Sequence, residues 1–174
     1  TITFLYGFYS GATIAFCDGL KYIAKNLQEY QISVFVAVPL VLETMYKKIM
    51  AQVEKQGKTK LIKVATKVSN FLLKFGIDIR RKVFKAIINN LGGSLRLVVS
   101  GAAAIDRQVV EDFNTFGILT LQGYGLTETA PVLCVENEKS IRYGSIGFPL
   151  CNVDVRIDNP NEEGIGEVVA KGPM

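Results

Sequence analysis

The strongest constraint on this chain is a phrase that it uses twice: an apolar run, a helix-forming stretch, then a second apolar run. Residues 95–100 (L-R-L-V-V-S) lead into Gly101, Ala102, Ala103 and Ala104, and Asp106 stands where a helix over about residues 107–116 needs a cap. Residues 117–121 (G-I-L-T-L) then read as a short buried strand. The earlier copy places a strand at residues 12–16, a helix at 20–31 and a buried strand at 34–38, before Pro39 opens another helix near Val41. Strands separated by one helix pair parallel, because the helix carries the chain back across the sheet before the next strand begins. The expected fold is α/β: an open, mostly parallel sheet with flanking helices, whose ligands gather beyond the carboxyl ends of the strands.

Two stretches depart from that phrase. Residues 47–91 read as a basic helical insertion, with Leu61, Val64, Val68, Phe71, Leu72 and Phe75 at helical spacing and a second helix through Val83, Phe84, Ile87 and Leu91. From Lys47 to Lys85, twelve basic residues face only Glu54 and Asp78, so a segment of net charge +10 is concealed in a chain of net +4. Residues 144–174 turn β-rich, with short strands near 153–157 and 167–170 punctuated by Pro160, Gly164 and Gly166. The expected organisation is a strand-helix-strand unit and the start of the following helix at 1–46, the basic insertion at 47–91, a second strand-helix-strand unit with its loop at 92–143, and the β-rich segment at 144–174. All are read as parts of one incomplete domain.

Composition narrows the chemistry. The chain has no histidine, which excludes a Ser-His or Cys-His nucleophilic centre built from these residues. Cys17, Cys134 and Cys151 are odd in number and widely spaced, so neither a disulfide framework nor a zinc site is indicated and a reducing cytoplasm is the expected compartment. Residues 1–17 carry no charge, but Gly7, Ser10 and Gly11 interrupt them and no basic leader precedes them, so a buried strand-loop-strand is expected rather than a membrane span. The basic insertion has two readings: a solvated face on helices packed against the domain, or peripheral contact of residues 47–91 with an anionic membrane. Nucleic acid is not expected, because the lysines are not interleaved with exposed aromatics and Phe71, Phe75 and Phe84 fall on apolar faces. Residues 158–163 read as a solvated turn.

The chemistry-bearing stretch is Q-G-Y-G-L-T-E-T at residues 122–129, read as a tight turn that follows the strand. Gly123 and Gly125 permit close backbone approach to a ligand. Tyr124 offers a flat face, Thr127 a hydroxyl, and Glu128 a hard oxygen donor of the kind that holds Mg²⁺ beside phosphate oxygens. Local chemistry leaves two readings open: a nucleotide and metal site, or a Gly-rich turn whose Glu128 caps a following helix.

V-S-G-A-A-A-I-D at residues 99–106, followed by Q-G-Y-G-L-T-E-T, resembles the acyl-adenylate-forming enzymes, and most of all the long-chain fatty acyl-CoA synthetases. Three further segments occur in the same order: F-V-A-V-P at 35–39, G-S-I-G-F-P at 144–149 followed by V-D-V at 153–155, and G-E-V-V-A-K-G-P at 166–173. The resemblance implies an ATP-dependent fatty acid:CoA ligase that adenylates a carboxylate and then passes the acyl group from AMP to the thiol of CoA. Carried onto matching positions, it implies that Tyr124 stacks on adenine, that Ser100, Gly101, Ala102, Gln122 and Gly123 line the nucleotide pocket, and that Gly125 keeps the turn tight. Thr127 then contacts phosphate and Glu128 holds Mg²⁺, the two being the catalytic pair. Residues 144–147 are implied to close one side of the site, a plain β-turn being the alternative, and Gly123 to border the acyl channel. Fatty acid and CoA are the implied partners. The oligomeric state is left open.

The resemblance also leads one to expect a phosphate loop with a lysine before Thr1, a ribose-binding acidic residue after Met174, and a small mobile domain with a catalytic lysine beyond it. The chain on its own is therefore expected to be inactive. Other readings of the sequence are a different acyl-, aryl- or amino-acid-adenylating enzyme, and a non-catalytic nucleotide- or membrane-binding module. The long basic insertion favours the long-chain branch.

Overall fold

The computed structural model describes residues 2–173, so Thr1 and Met174 lie outside the described residues. The chain forms two compact units, Thr1–Thr120 and Leu121–Met174. Unit 1 runs through α1 (Ile2–Tyr9), a 3-10 turn (Leu20–Tyr22), α2 (Ile23–Glu29), β1 (Val34–Ala37), α3 (Pro39–Lys55), α4 (Thr59–Leu73), α5 (Arg80–Val83), α6 (Lys85–Asn90), β2 (Leu97–Ser100) and α7 (Arg107–Thr115). Strand β3 (Leu119–Tyr124) begins in unit 1 and ends in unit 2, which continues with β4 (Cys134–Val135), β5 (Phe148–Pro149), β6 (Asp154–Asp158) and β7 (Glu167–Lys171). The fold is α/β, with a five-stranded sheet in the order β1-β2-β3-β4-β5, flanking helices, and a separate β6-β7 pair.

The parallel pair at the heart of unit 1 is β1 with β2, in a register that sets Val34 opposite Leu97 and Ala37 opposite Ser100. Pro39 starts α3 at its first turn, where a missing N–H costs nothing and the fixed φ suits the helix. Helix α3 then turns Leu42, Met45, Ile49 and Val53 inward, one residue per turn of a single face. Asp106 caps α7 as expected, its carboxylate accepting the Gln108 N–H at 2.7 Å, and the helix buries Val109, Val110 and Phe113. The core closes with Phe84 and Phe116, whose rings lie 5.0 Å apart. Truncating a side chain such as Phe113 here would cost about 3–5 kcal/mol.

Two members of the basic block do structural work in unit 1. The Arg81 guanidinium donates to the carbonyls of Leu95 (2.7 Å), Gly93 (3.0 Å) and Gly117 (3.1 Å). Gly117 has φ +83, and a Cβ there would meet the Arg81 side chain at 2.8 Å, so the strand entry and the arginine are fitted to each other. Arg80 pairs with Asp78 and also donates to the Asn114 carbonyl at 2.9 Å.

Several expectations are corrected. Residues 12–16 form no strand, and residues 2–9 form α1 rather than part of a buried strand-loop-strand. Phe8 and Tyr9 on α1 are exposed, as is Phe16 beyond it, so the lack of charge in this stretch does not reflect burial. The parallel partner of β1 is β2, reached through α3 to α6, and not a strand before it. The helix expected through Val83 and Leu91 is broken at Phe84 into α5 and α6, which lets the Phe84 ring turn into the core. Phe71 and Phe75 are exposed, so the stated ground for discounting nucleic acid does not hold.

In unit 2, β3 pairs antiparallel with β4, and β4 antiparallel with β5. The β6-β7 hairpin pairs Asp154 with Lys171 through Asp158 with Glu167. Its turn is closed by Asn161, whose Oδ1 accepts the N–H groups of Glu163 (3.0 Å) and Ile165 (2.9 Å). Among the described residues no helix is long and apolar enough to cross a membrane.

Candidate functional site

The expected site residues fall into two groups, Ser100, Gly101 and Ala102 in unit 1 and residues 122–128 in unit 2. In unit 1 the chain leaves β2 at Ser100, whose side chain is 1% exposed and whose Oγ has no hydrogen-bond partner among the described residues. A buried hydroxyl left unpaired costs about 1–3 kcal/mol. Two residues on, Ala102 is exposed and holds φ +71, where the Cβ of an L-residue crowds the following carbonyl at a cost of about 1–2 kcal/mol. The loop's far end is anchored, since the Asp106 N–H donates to Glu43 Oε1 on α3 at 3.3 Å.

In unit 2 the octapeptide is not one tight turn. Gln122, Gly123 and Tyr124 belong to β3, with Gly123 opposite Val135 and Tyr124 opposite Cys134. Gly125 leaves the strand where a Cβ would lie 2.0 Å from the Pro131 carbonyl oxygen, so only glycine fits. Thr127, Glu128 and Thr129 form a single 3-10 turn. Its cap is Thr129, whose Oγ1 accepts the Leu126 N–H and donates to the Leu126 carbonyl, both at 2.9 Å. No helix follows for Glu128 to cap. Thr127 and Glu128 are exposed, and neither side chain has a hydrogen-bond or ionic partner among the described residues. Tyr124 is half-buried.

A residue the sequence reading passed over holds this group in place. Glu136, 2% exposed, accepts the Gln122 N–H on Oε2 at 2.9 Å and the Arg142 N–H on Oε1 at 3.3 Å. The Glu136 N–H in turn donates to the Gln122 carbonyl at 2.9 Å. One carboxylate thus ties the end of β3 to the turn at residues 142–145. The available signal was the position of this acid at the end of the apolar run V-L-C-V, where a charge is seldom placed without partners. Beside it, Gly147 has φ +85, and a Cβ there would meet the Val135 carbonyl carbon at 2.1 Å. Burial pushes the Cys134 thiol above its ordinary pKa, so it serves as packing in β4 and not as a nucleophile.

Among the described residues no group of three or more acids or thiols could hold a metal by itself. Glu128 fits a different arrangement, in which Mg²⁺ takes one protein carboxylate and completes its shell with phosphate oxygens and water. An exposed carboxylate with no internal partner suits that role.

A sequence model of the AMP-binding enzymes matches residues 1–174. The chain belongs to the AMP-binding enzyme family. This AMP-binding chain is 32% identical to Long chain acyl-CoA synthetase 3 of Arabidopsis thaliana, over 95% of its own length and 26% of that relative. It is likewise 32% identical to Long-chain-fatty-acid–CoA ligase 1 of Homo sapiens, over 94% of its own length and 25% of that relative. Among solved structures, the anthranilate CoA ligase AuaEII in complex with anthranoyl-AMP superposes with a TM-score of 0.64 at 16% identity, over 97% of the AMP-binding chain and 28% of AuaEII, a likeness of fold. The AMP-binding chain spans about a quarter of the length of the curated relatives it matches.

Proposed function

We propose that this chain is part of an ATP-dependent long-chain fatty acid:CoA ligase. The observation that carries the proposal is the loop at residues 100–102, where an unpartnered buried hydroxyl and a strained alanine lie two residues apart at the carboxyl end of a parallel strand. Costs of this kind persist where a ligand needs the geometry. The likeness to long-chain acyl-CoA synthetases supports the substrate class.

In the first step a fatty carboxylate oxygen attacks the α-phosphorus of ATP and pyrophosphate leaves. In the second the CoA sulfur attacks the acyl carbon, its proton is lost, and AMP leaves. The first step brings one anion against another, so charge must be neutralised while the in-line geometry is fixed. Mg²⁺, when bound, supplies that neutralisation at the phosphate oxygens. Glu128 would hold it, and Thr127 would donate its free hydroxyl to phosphate. Tyr124 would stack on adenine, with Gly101 and Ala102 leaving room for a flat ring. Gln122, fixed by Glu136, would line the nucleotide pocket with its backbone, with Gly123 bordering the acyl group and Gly125 keeping the turn tight.

We place the enzyme in the cytoplasm, peripheral at the membrane. The test is product analysis of the full-length protein with ATP, Mg²⁺, CoA and a panel of carboxylic acids. Long-chain acids are expected to yield acyl-AMP and acyl-CoA, and Glu128→Ala to lower adenylation by at least about a hundredfold. Full adenylation by Glu128→Ala would remove the metal role, and a preference for aryl acids would remove the substrate class. The 174-residue chain alone is expected to give no ATP–pyrophosphate exchange.

A further inference from the structure

Helix α4 is built from a repeating triplet. Lys60-Leu61-Ile62, Lys63-Val64-Ala65 and Lys67-Val68-Ser69 each run lysine, apolar, inward-facing residue, and Asn70-Phe71-Leu72 and Lys74-Phe75 continue the pattern to just past the helix end. Adjacent helical residues stand about 100° apart, so the triplets form three parallel rows along α4. One row meets the core of unit 1: Ile62 and Ala65 pack against it, and Ser69 is fully buried. The middle row, Leu61, Val64, Val68, Phe71 and Phe75, is 48–68% exposed. All five belong to the apolar set that helical spacing picks out in the sequence. The outer row is Lys60, Lys63, Lys67, Asn70 and Lys74, and α4 contains no acidic residue.

None of these lysines has an ionic partner among the described residues, whereas Arg80 in the same basic block is paired with Asp78. An uncovered apolar row edged by unpaired cations complements a surface that is apolar inside and anionic at its rim. Lysine stems can lie along the apolar row while their ammonium groups reach the headgroups. We propose that α4 docks on an anionic lipid bilayer, with Leu61, Val64, Val68, Phe71 and Phe75 entering the acyl-headgroup boundary and Lys60, Lys63, Lys67 and Lys74 facing the headgroups. Lipid is favoured over nucleic acid by the row itself. Three of its five members are aliphatic, and Phe71 and Phe75 meet edge to face at 5.2 Å, spending ring surface that base stacking would need. The proposal deepens the peripheral placement above and is separate from the ligase chemistry, so its failure leaves the adenylation test untouched.

The experiment is flotation of the full-length protein with phosphatidylcholine vesicles and with vesicles that also contain phosphatidylserine, at low and high salt. Binding is expected only with phosphatidylserine, and is expected to weaken with salt. Each lysine near such a surface contributes about fivefold in affinity, so Lys63→Gln/Lys67→Gln is expected to bind about thirtyfold more weakly. Phe71→Ser/Phe75→Ser is expected to abolish binding with an unchanged melting temperature. The proposal is overturned by unchanged binding of the phenylalanine variant, or by binding to duplex DNA as tight as that to phosphatidylserine vesicles. A large fall in melting temperature of the phenylalanine variant also overturns it, because the row would then be covered by another part of the protein.

Discussion

At the scale of single residues, Ser100 in unit 1 and Glu136 in unit 2 are buried polar groups among or beside the expected site residues, and they are opposite in kind. Glu136 is satisfied by two backbone N–H groups and holds the end of β3 still. Ser100 is satisfied by nothing among the described residues, so its hydroxyl is a cost that the fold carries. Ser100→Ala is therefore expected to raise stability by about 1 kcal/mol while weakening nucleotide binding. Thermal unfolding of the full-length protein with and without ATP checks both signs at once: a higher melting temperature without ATP and a smaller ATP-induced rise. A variant that melts lower without ATP would show that the hydroxyl supports the fold. Asp106 as a cap was legible in the sequence, because capping is a local matter between a carboxylate and an N–H two residues on. Glu136 was not, since its partners at Gln122 and Arg142 come from two separate stretches and are visible only once β3 and β4 pair.

At the scale of elements, helices α3 and α7 meet through the Tyr46 hydroxyl, which donates to Asp112 Oδ2 at 2.5 Å, while Gln108 donates to the other carboxylate oxygen at 3.1 Å. Burial, then the hydrogen bond and the charge of Asp112, push the Tyr46 phenol well above its ordinary range. A pKa raised in the folded state means that this contribution is complete below the unfolded phenol value of about 10 and is lost as pH rises beyond it. Stability is expected to fall with alkaline pH from about 10 upward, and Tyr46→Phe to flatten that fall while costing about 1 kcal/mol at neutral pH. Chemical denaturation across neutral and alkaline pH measures both. The elements that the sequence made legible are those whose signals are local: α3 with Pro39 at its start, α7 with its cap, and the β6-β7 hairpin with its Gly- and Asn-rich turn. Residues 12–16 misled because a β-branched, apolar stretch becomes a strand only if a neighbour offers its ladder, and none does. Helix α4 was legible as a helix from its spacing, but which face turns inward was not: two apolar rows one residue apart are possible on one helix, and the row of Leu61, Val64, Val68, Phe71 and Phe75 faces outward.

At the scale of the whole molecule, strand β3 passes from one compact unit to the other between Thr120 and Leu121. On either side of that step one amide, that of Thr120 and that of Gln122, is sealed by a side chain of its own unit. The Thr120 N–H donates to buried Asn114 Oδ1 at 3.0 Å, and the Gln122 N–H to buried Glu136 Oε2 at 2.9 Å. Unit 1 has a large apolar core behind its seal, whereas Leu133 and Cys134 are the buried apolar residues of unit 2 among those described. Two protons on one strand therefore keep separate clocks. In hydrogen exchange followed by NMR, the Thr120 amide is expected to outlast that of Gln122, because opening unit 2 releases only the second. Equal lifetimes would mean that the two units open as one. The strand that carries the glycine-tyrosine motif thus holds its own internal reference, and binding of a nucleotide to that motif should slow the Gln122 clock before it touches the other.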